Sequence, residues 1–102
     1  MPIAIVIPAD DSAPVKTQEM NGLNDYQSVV GGWIESVATP SGDFSMYVNE
    51  EGKMMGLPLN RRATEMVASM LFQGDFIAGD AVIVGFDPAT GEDTDIPECF
   101  QP

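Results

Sequence analysis

Two apolar patterns divide the chain. Ile3-Ala4-Ile5-Val6-Ile7 is an unbroken, mostly β-branched run closed by Pro8 and the acidic pair Asp10-Asp11. Ala81-Val82-Ile83-Val84-Gly85-Phe86 repeats that pattern after Gly79-Asp80. Continuous runs of this length suit strands buried on both faces, so the two are predicted to be sheet neighbours. Phe44, Met46 and Val48 instead alternate with Ser45, Tyr47 and Asn49, as in a strand with one buried face. Strand-like residues 33–38 and the turn formers Thr39-Pro40-Ser41-Gly42-Asp43 come before it, which predicts a β-hairpin over 33–49.

Helical spacing appears twice. Tyr26, Val29, Val30 and Trp33 fall at i, i+3, i+4 and i+7; Asn24 is the predicted cap, Asp25 suits the positive end, Gln27 can reach back, and Gly31-Gly32 is a stop. Ala63, Met66, Val67, Met70 and Leu71 make the longer stripe, with Arg61, Arg62, Glu65 and Ser69 outside it, Asn60 as cap and Gly74 as stop. Residues 9–22 contain Pro14 and Gly22, lack a period, and read as a connecting loop with room for one extended stretch. Asn49-Glu50-Glu51-Gly52-Lys53 reads as a turn with Gly52 left-handed, followed by a brief strand over Met54–Leu57. The expected fold is α+β: one small domain over residues 1–86, with about five strands in a mixed sheet. Two helices complete it, the longer amphipathic one at about 60–73 packed on the sheet. Residues 87–102 read as an acidic, proline-containing tail.

Composition narrows the chemistry. The 102 residues include 16 acids, 4 bases, one cysteine and no histidine, for a net charge of −12. Serine triads and His-zinc sites are excluded within the chain, and a lone Cys99 forms no internal disulfide. Direct binding to nucleic-acid phosphates or anionic lipid is disfavoured. No base precedes the first apolar run, no small-residue cleavage site follows it, and no apolar stretch approaches the roughly 20 residues of a membrane-spanning helix. A cytoplasmic protein without cofactor or metal is expected.

The charge is uneven along the sequence. Residues 1–62 hold eight acids and all four bases, Lys16, Lys53, Arg61 and Arg62; residues 63–102 hold the other eight acids and no base. Duplex DNA carries one negative charge per about 1.7 Å, so 12 charges match roughly 20 Å of duplex, comparable with the span of a small domain. Acids gathered on one face would compete for a protein built to grip phosphates; a dispersed, solubilising surface is the plainer alternative.

Three local candidates follow. Arg61-Arg62 stand at a predicted helix start, where cations are uncommon, and with Asn60 they suggest an anion pocket for a nucleotide; pairing with nearby carboxylates is the alternative. Glu50-Glu51 suggest a metal-assisted enzyme, although neighbours on an extended chain point apart and a turn role, which Gly, Asn and acidic residues suit, explains them better. Asp87 to Asp95 lacks the order of ligands in a calcium loop. Met54 and Met55 suit an adaptable contact surface, Met66 and Met70 a core.

Four blocks carry a family resemblance: Tyr26-Gln27-Ser28-Val29-Val30-Gly31-Gly32-Trp33-Ile34-Glu35, Tyr47-Val48-Asn49-Glu50-Glu51-Gly52-Lys53, Gly56-Leu57-Pro58-Leu59-Asn60-Arg61-Arg62-Ala63-Thr64 and Gly74-Asp75-Phe76-Ile77-Ala78-Gly79-Asp80-Ala81. In their order and spacing the chain resembles a domain of unknown function found in actinobacteria, mobile elements and their bacteriophages. The resemblance covers most of residues 3–86, leaves the segment after Phe86 outside, and implies turn roles for Gly31, Gly32, Asn49, Glu50, Glu51 and Gly52. It also implies a phage or mobile-element origin. The leading expectation is a non-enzymatic accessory protein that binds a host protein through an acidic surface of Asp75, Asp80, Asp87, Glu92, Asp93, Asp95 and Glu98. Sequestration of an anionic nucleotide by Asn60, Arg61 and Arg62 is the second, and a metal-assisted enzyme using Glu50 or Glu51 the third.

Overall fold

A computed structural model describes residues 2–37, 39, 44–71, 74–87 and 89–96. The strands are β1 (Ile3–Ile7), β2 (Lys16–Glu19), β3 (Ile34–Val37), β4 (Phe44–Asn49), β5 (Ala81–Asp87) and β6 (Glu92–Thr94). The helices are α1 (Leu23–Val30) and α2 (Arg61–Val67), the latter continued by one 3₁₀ turn over Ala68–Met70. The sheet runs β2-β1-β5-β4-β3, and β6 pairs with the distal half of β5 beside the start of β1. Every pairing is antiparallel, so the expected mixed sheet of about five strands is an antiparallel sheet of six.

The two continuous apolar runs are adjacent, as predicted, with Ile5 opposite Ile83. Successive side chains alternate between faces. Ile5, Ile7, Met46, Val48, Ala81 and Ile83 pack with Ala63 and Val67 of α2 on one face. Ala4, Val6, Val82 and Val84 pack with Tyr26 and Val30 of α1 on the other. One helix therefore covers each face, which is why β1 and residues 81–86 of β5 carry no polar positions.

Several expectations are corrected. α2 is only seven residues long and shorter than α1, so the long helix at 60–73 is not formed; Leu71 adopts an extended backbone and Met70 lies exposed. The cap of α1 is Gly22, while Asp25 accepts a hydrogen bond from the Asn21 N–H at 2.8 Å. Gly31, at φ 80°, ends α1 as a left-handed residue must. Trp33, read as part of the helical face, lies beyond that stop and is 67% exposed. Residues 51–56 are turn throughout, so no strand forms at Met54–Leu57. The left-handed residue there is Gly56 (φ 72°), not Gly52. Gly52 is required for space: a Cβ would lie 2.9 Å from the Ala78 carbonyl oxygen.

The boundary expected at residue 86 does not hold for the described residues. β5 continues to Asp87, β6 pairs with it, the Ile96 N–H donates to the Ile3 carbonyl at 2.8 Å, and Ile96 is buried in the core. A strand of two acids and a threonine gives no periodic apolar signal, and Ile96, two residues beyond it, supplies the apolar anchor. β2, likewise, is a polar edge strand in what reads as a loop.

Candidate functional site

The strand register separates the predicted acidic surface into two groups. Asp80 precedes β5 and Asp87 ends it, and at about 3.4 Å per residue roughly 24 Å separates them along the strand. Asp80 accepts a hydrogen bond from the Ala9 N–H at 2.9 Å, while Asp75 accepts from its neighbour Phe76 N–H and forms an ion pair with Lys53. Those two acids stand at the end of the sheet where β1 finishes. Asp87, Glu92, Asp93 and Asp95 stand at the other end, joined by Glu19, whose strand position is opposite Ile3. Glu98 and Cys99 lie outside the described residues.

The bases gather away from that hairpin end. Lys16 pairs in register with Val6 near the finish of β1, Arg61 and Arg62 meet the following loop, and Lys53 lies in the turn after β4. Among the described residues the hairpin end thus carries five acids and no base. Its carboxylates also hold structure: Asp95 accepts from the Ile3 N–H at 2.8 Å, Asp87 from Ala89 N–H at 2.9 Å, and Asp93 from the Tyr47 hydroxyl at 2.9 Å. Tyr26 stands edge-on to Tyr47 with ring centroids 5.1 Å apart, so its buried phenol feels the same Asp93 carboxylate. Burial, then the Asp93 hydrogen bond and charge, push the Tyr47 phenol up to about 12. Burial and then the Asp93 charge raise the Tyr26 phenol as well.

Asn60 is at a helix start, as predicted, but its side chain is consumed. It is fully buried; Oδ1 accepts from Ala63 N–H at 3.0 Å, and Nδ2 donates to the carbonyls of Ile7 (2.8 Å) and Gly79 (3.0 Å). Arg61 forms an ion pair with Asp11 at 3.0 Å, and Arg62 donates to the Pro8 and Asp10 carbonyls at 2.8 and 2.9 Å. The arginines fasten the loop after β1 onto α2, and Asn60 fastens β1 to the approach to β5. The anion-pocket arrangement expected of these three residues is not formed. In that loop the Ser12 hydroxyl and N–H both donate to Asp10, holding its carboxyl below the usual carboxylate range.

The family turn residues do converge. The buried Asn49 donates through Nδ2 to the Val30 carbonyl at the end of α1 (3.1 Å) and accepts through Oδ1 from Glu51 N–H (2.8 Å). Gly32 lies against the same side chain, where a Cβ would come within 2.9 Å of Nδ2. Gly31-Gly32 and Asn49–Gly52, remote in sequence, thus form one junction. Glu50 and Glu51 project from it exposed, and among the described residues no group of three potential ligands is placed to hold a metal.

Next to this junction a cleft of about 400 Å³ runs between strands β3 and β4 on one side and Leu71 with residues 75–78 on the other. Val37, Val48, Leu71 and Ile77 supply apolar lining, while Glu35 and Glu50 contribute carboxylates. Lys53 lies 5.0 Å from the centre of the Phe76 ring, between that ring and Asp75. Its contributors are scattered across the sequence, and no local pattern announces it.

These features define an acidic α+β domain with an antiparallel six-stranded sheet, one helix on each face, and its charge polarised along the strands. The chain belongs to the family described as Domain of unknown function (DUF3846), whose model matches residues 3–101. That match runs through the acidic segment, which the four-block resemblance had left outside. Neither a curated protein nor a solved structure matches the chain significantly. Among the described residues, no helix is long and apolar enough to cross a membrane.

Proposed function

We propose that this domain is a non-enzymatic binding module whose acidic hairpin end engages the basic surface of a protein partner. The supporting observation is the placement of Glu19, Asp87, Glu92, Asp93 and Asp95 at one end of the sheet, with the bases directed elsewhere. Such a field resembles that of a short duplex and favours partners that themselves handle nucleic acid. With the family resemblance, this supports a phage or mobile-element accessory protein acting on a host protein in the cytoplasm.

The test uses immobilised wild-type domain and a variant carrying Glu19→Gln, Asp87→Asn, Glu92→Gln and Asp95→Asn. Asp93 is left intact because it holds Tyr47. Host proteins retained at low salt should be displaced by a short DNA duplex and by raised salt, and the variant should not retain them. Retention unaffected by the substitutions, by duplex and by salt overturns the reading.

A further inference from the structure

We propose that the outer edge of β3, with the cleft that opens beside it, captures an extended, lysine- or arginine-rich segment of a partner protein as an added strand. This surface is separate from the acidic hairpin end, and the proposal stands or falls independently of it.

The backbone argument begins with the register. The Glu50 N–H donates to the Trp33 carbonyl at 3.0 Å, and Glu35 and Val37 lie opposite Val48 and Met46. In an antiparallel pair hydrogen-bonded positions alternate, so Trp33, Glu35 and Val37 bond inward to β4 while Ile34 and Ser36 direct their N–H and C=O groups outward. β3 ends the sheet, and among the described residues no strand pairs with that outward side. Each outward residue offers one donor and one acceptor to an incoming strand.

The two sheet edges differ. β2 is Lys16-Thr17-Gln18-Glu19, a polar edge with both charge signs, of the kind that resists strand addition. β3 has Ile34 and Val37, and Trp33 leads into it two-thirds exposed. Tryptophan is the residue type most often found at the energetic centre of protein interfaces. Met55 extends the same surface, since its sulfur lies 3.6 Å from Asn49 Nδ2 and the side chain is more than half exposed.

Charge selects the occupant. Consecutive residues 35–37 line the cleft, so side chains on one face of an added strand would enter it over Val48, Leu71 and Ile77. Glu35 and Glu50 stand at its margin, while the cation there, Lys53, is already paired with Asp75. A second copy of the chain would bring Glu35 and a net charge of −12 against their own likeness. A segment alternating bases with apolar residues meets both the carboxylates and the apolar lining.

Trp33 is the sole tryptophan, so its fluorescence reports directly on this edge. The probe is the peptide acetyl-Lys-Val-Lys-Val-Lys-Val-Lys-amide, compared with the same peptide carrying glutamate for lysine. The lysine peptide should shift Trp33 emission saturably, bind at least tenfold more tightly than the glutamate peptide, and slow amide exchange at Ile34 and Ser36. Ser36→Pro removes an outward N–H without touching the bonds to β4, and should weaken peptide binding at least tenfold with little change in Tm. Glu35→Lys with Glu50→Lys should reverse the preference between peptides, which decides the matter should Ser36→Pro fail to fold. Asp87→Asn with Glu92→Gln should leave the peptide affinity unchanged. Unprotected Ile34 and Ser36 amides at saturation, wild-type affinity in a folded Ser36→Pro variant, or a concentration-dependent dimer paired through β3 would overturn the proposal.

Discussion

Replacing Asn60 by alanine tests the mechanical reading of this residue most directly. The side chain is fully buried and makes three hydrogen bonds, to Ala63 N–H, the Ile7 carbonyl and the Gly79 carbonyl. Loss of an N-cap costs about 1 kcal/mol. Each of the two carbonyls deprived of a donor adds about 1–2 kcal/mol, since buried acceptors without partners forfeit their hydration. The expected sum is about 3–5 kcal/mol, a large fraction of the roughly 5–15 kcal/mol that stabilises a typical domain. At about 4–8 °C per kcal/mol for a domain near this size, Tm should fall by roughly 12–40 °C. Asn60→Ser keeps a capping oxygen and loses only the links to β1 and Gly79, so it should recover about 1 kcal/mol. Urea unfolding followed by circular dichroism measures both. A loss under about 1.5 kcal/mol for alanine, or a serine variant no more stable than alanine, would refute the claim that Asn60 serves as both cap and tie.

Other expectations concern close approaches and pH. Gly85→Ala places a methyl group against the Asp95 carbonyl and the Thr94 hydroxyl, so it should cost about 2 kcal/mol or more and speed amide exchange at Ile96; Gly91→Ala, with open space around its Cβ, should cost only about 1 kcal/mol. Gly52→Ala should cost about 1–3 kcal/mol through the Ala78 carbonyl, measured by the same unfolding assay. The Tyr47 phenol is raised on folding from an ordinary value of 10.0 to about 12, so its contribution is complete below pH 10 and is lost as pH rises toward 12. Ultraviolet titration of tyrosinate should show this late ionisation, and Tyr47→Phe should flatten stability across that interval relative to wild type. Arg62→Leu should accelerate amide exchange at Ala13, whose N–H donates to the Asp10 carbonyl in the loop that Arg62 holds.

What could be read from the sequence follows from how locally each feature is encoded. Ile3–Ile7, Ala81–Phe86 and the alternation over 44–49 announce strands because nearest neighbours alone determine which face each side chain takes. The hairpin over 33–49 is legible for the same reason, although residues 40–43 of its turn lie outside the described residues. β2 and β6 are not legible, because their polar residues contribute backbone pairing to an edge and little apolar burial. The stripe from Ala63 to Leu71 predicts a longer helix than forms, because Leu71 turns extended to line the cleft rather than continue the helical face. Asn60 was recognisable as a cap from its own position, but its two distant carbonyl partners, which exhaust it, were not. For the same reason, linear acidity gave no sign that β5 places Asp75 and Asp80 far from Asp87.

The position of β5 in the sheet bears on how the chain acquires its structure. β1–β2 and β3–β4 are local hairpins, but they do not touch each other as strands; β5 joins them by entering between β1 and β4. Emerging late in the chain, it must find a slot whose walls were made by segments up to about eighty residues earlier. Closing loops of that length slows folding more than it lowers final stability. Until β5 arrives, both hairpins present an unsatisfied inner edge, and Val6 and Met46 have a strand on one side only. Insertion of β5 is therefore the expected committed step of folding. A nascent chain stopped before residue 81 would carry two sheet fragments with nothing to unite them.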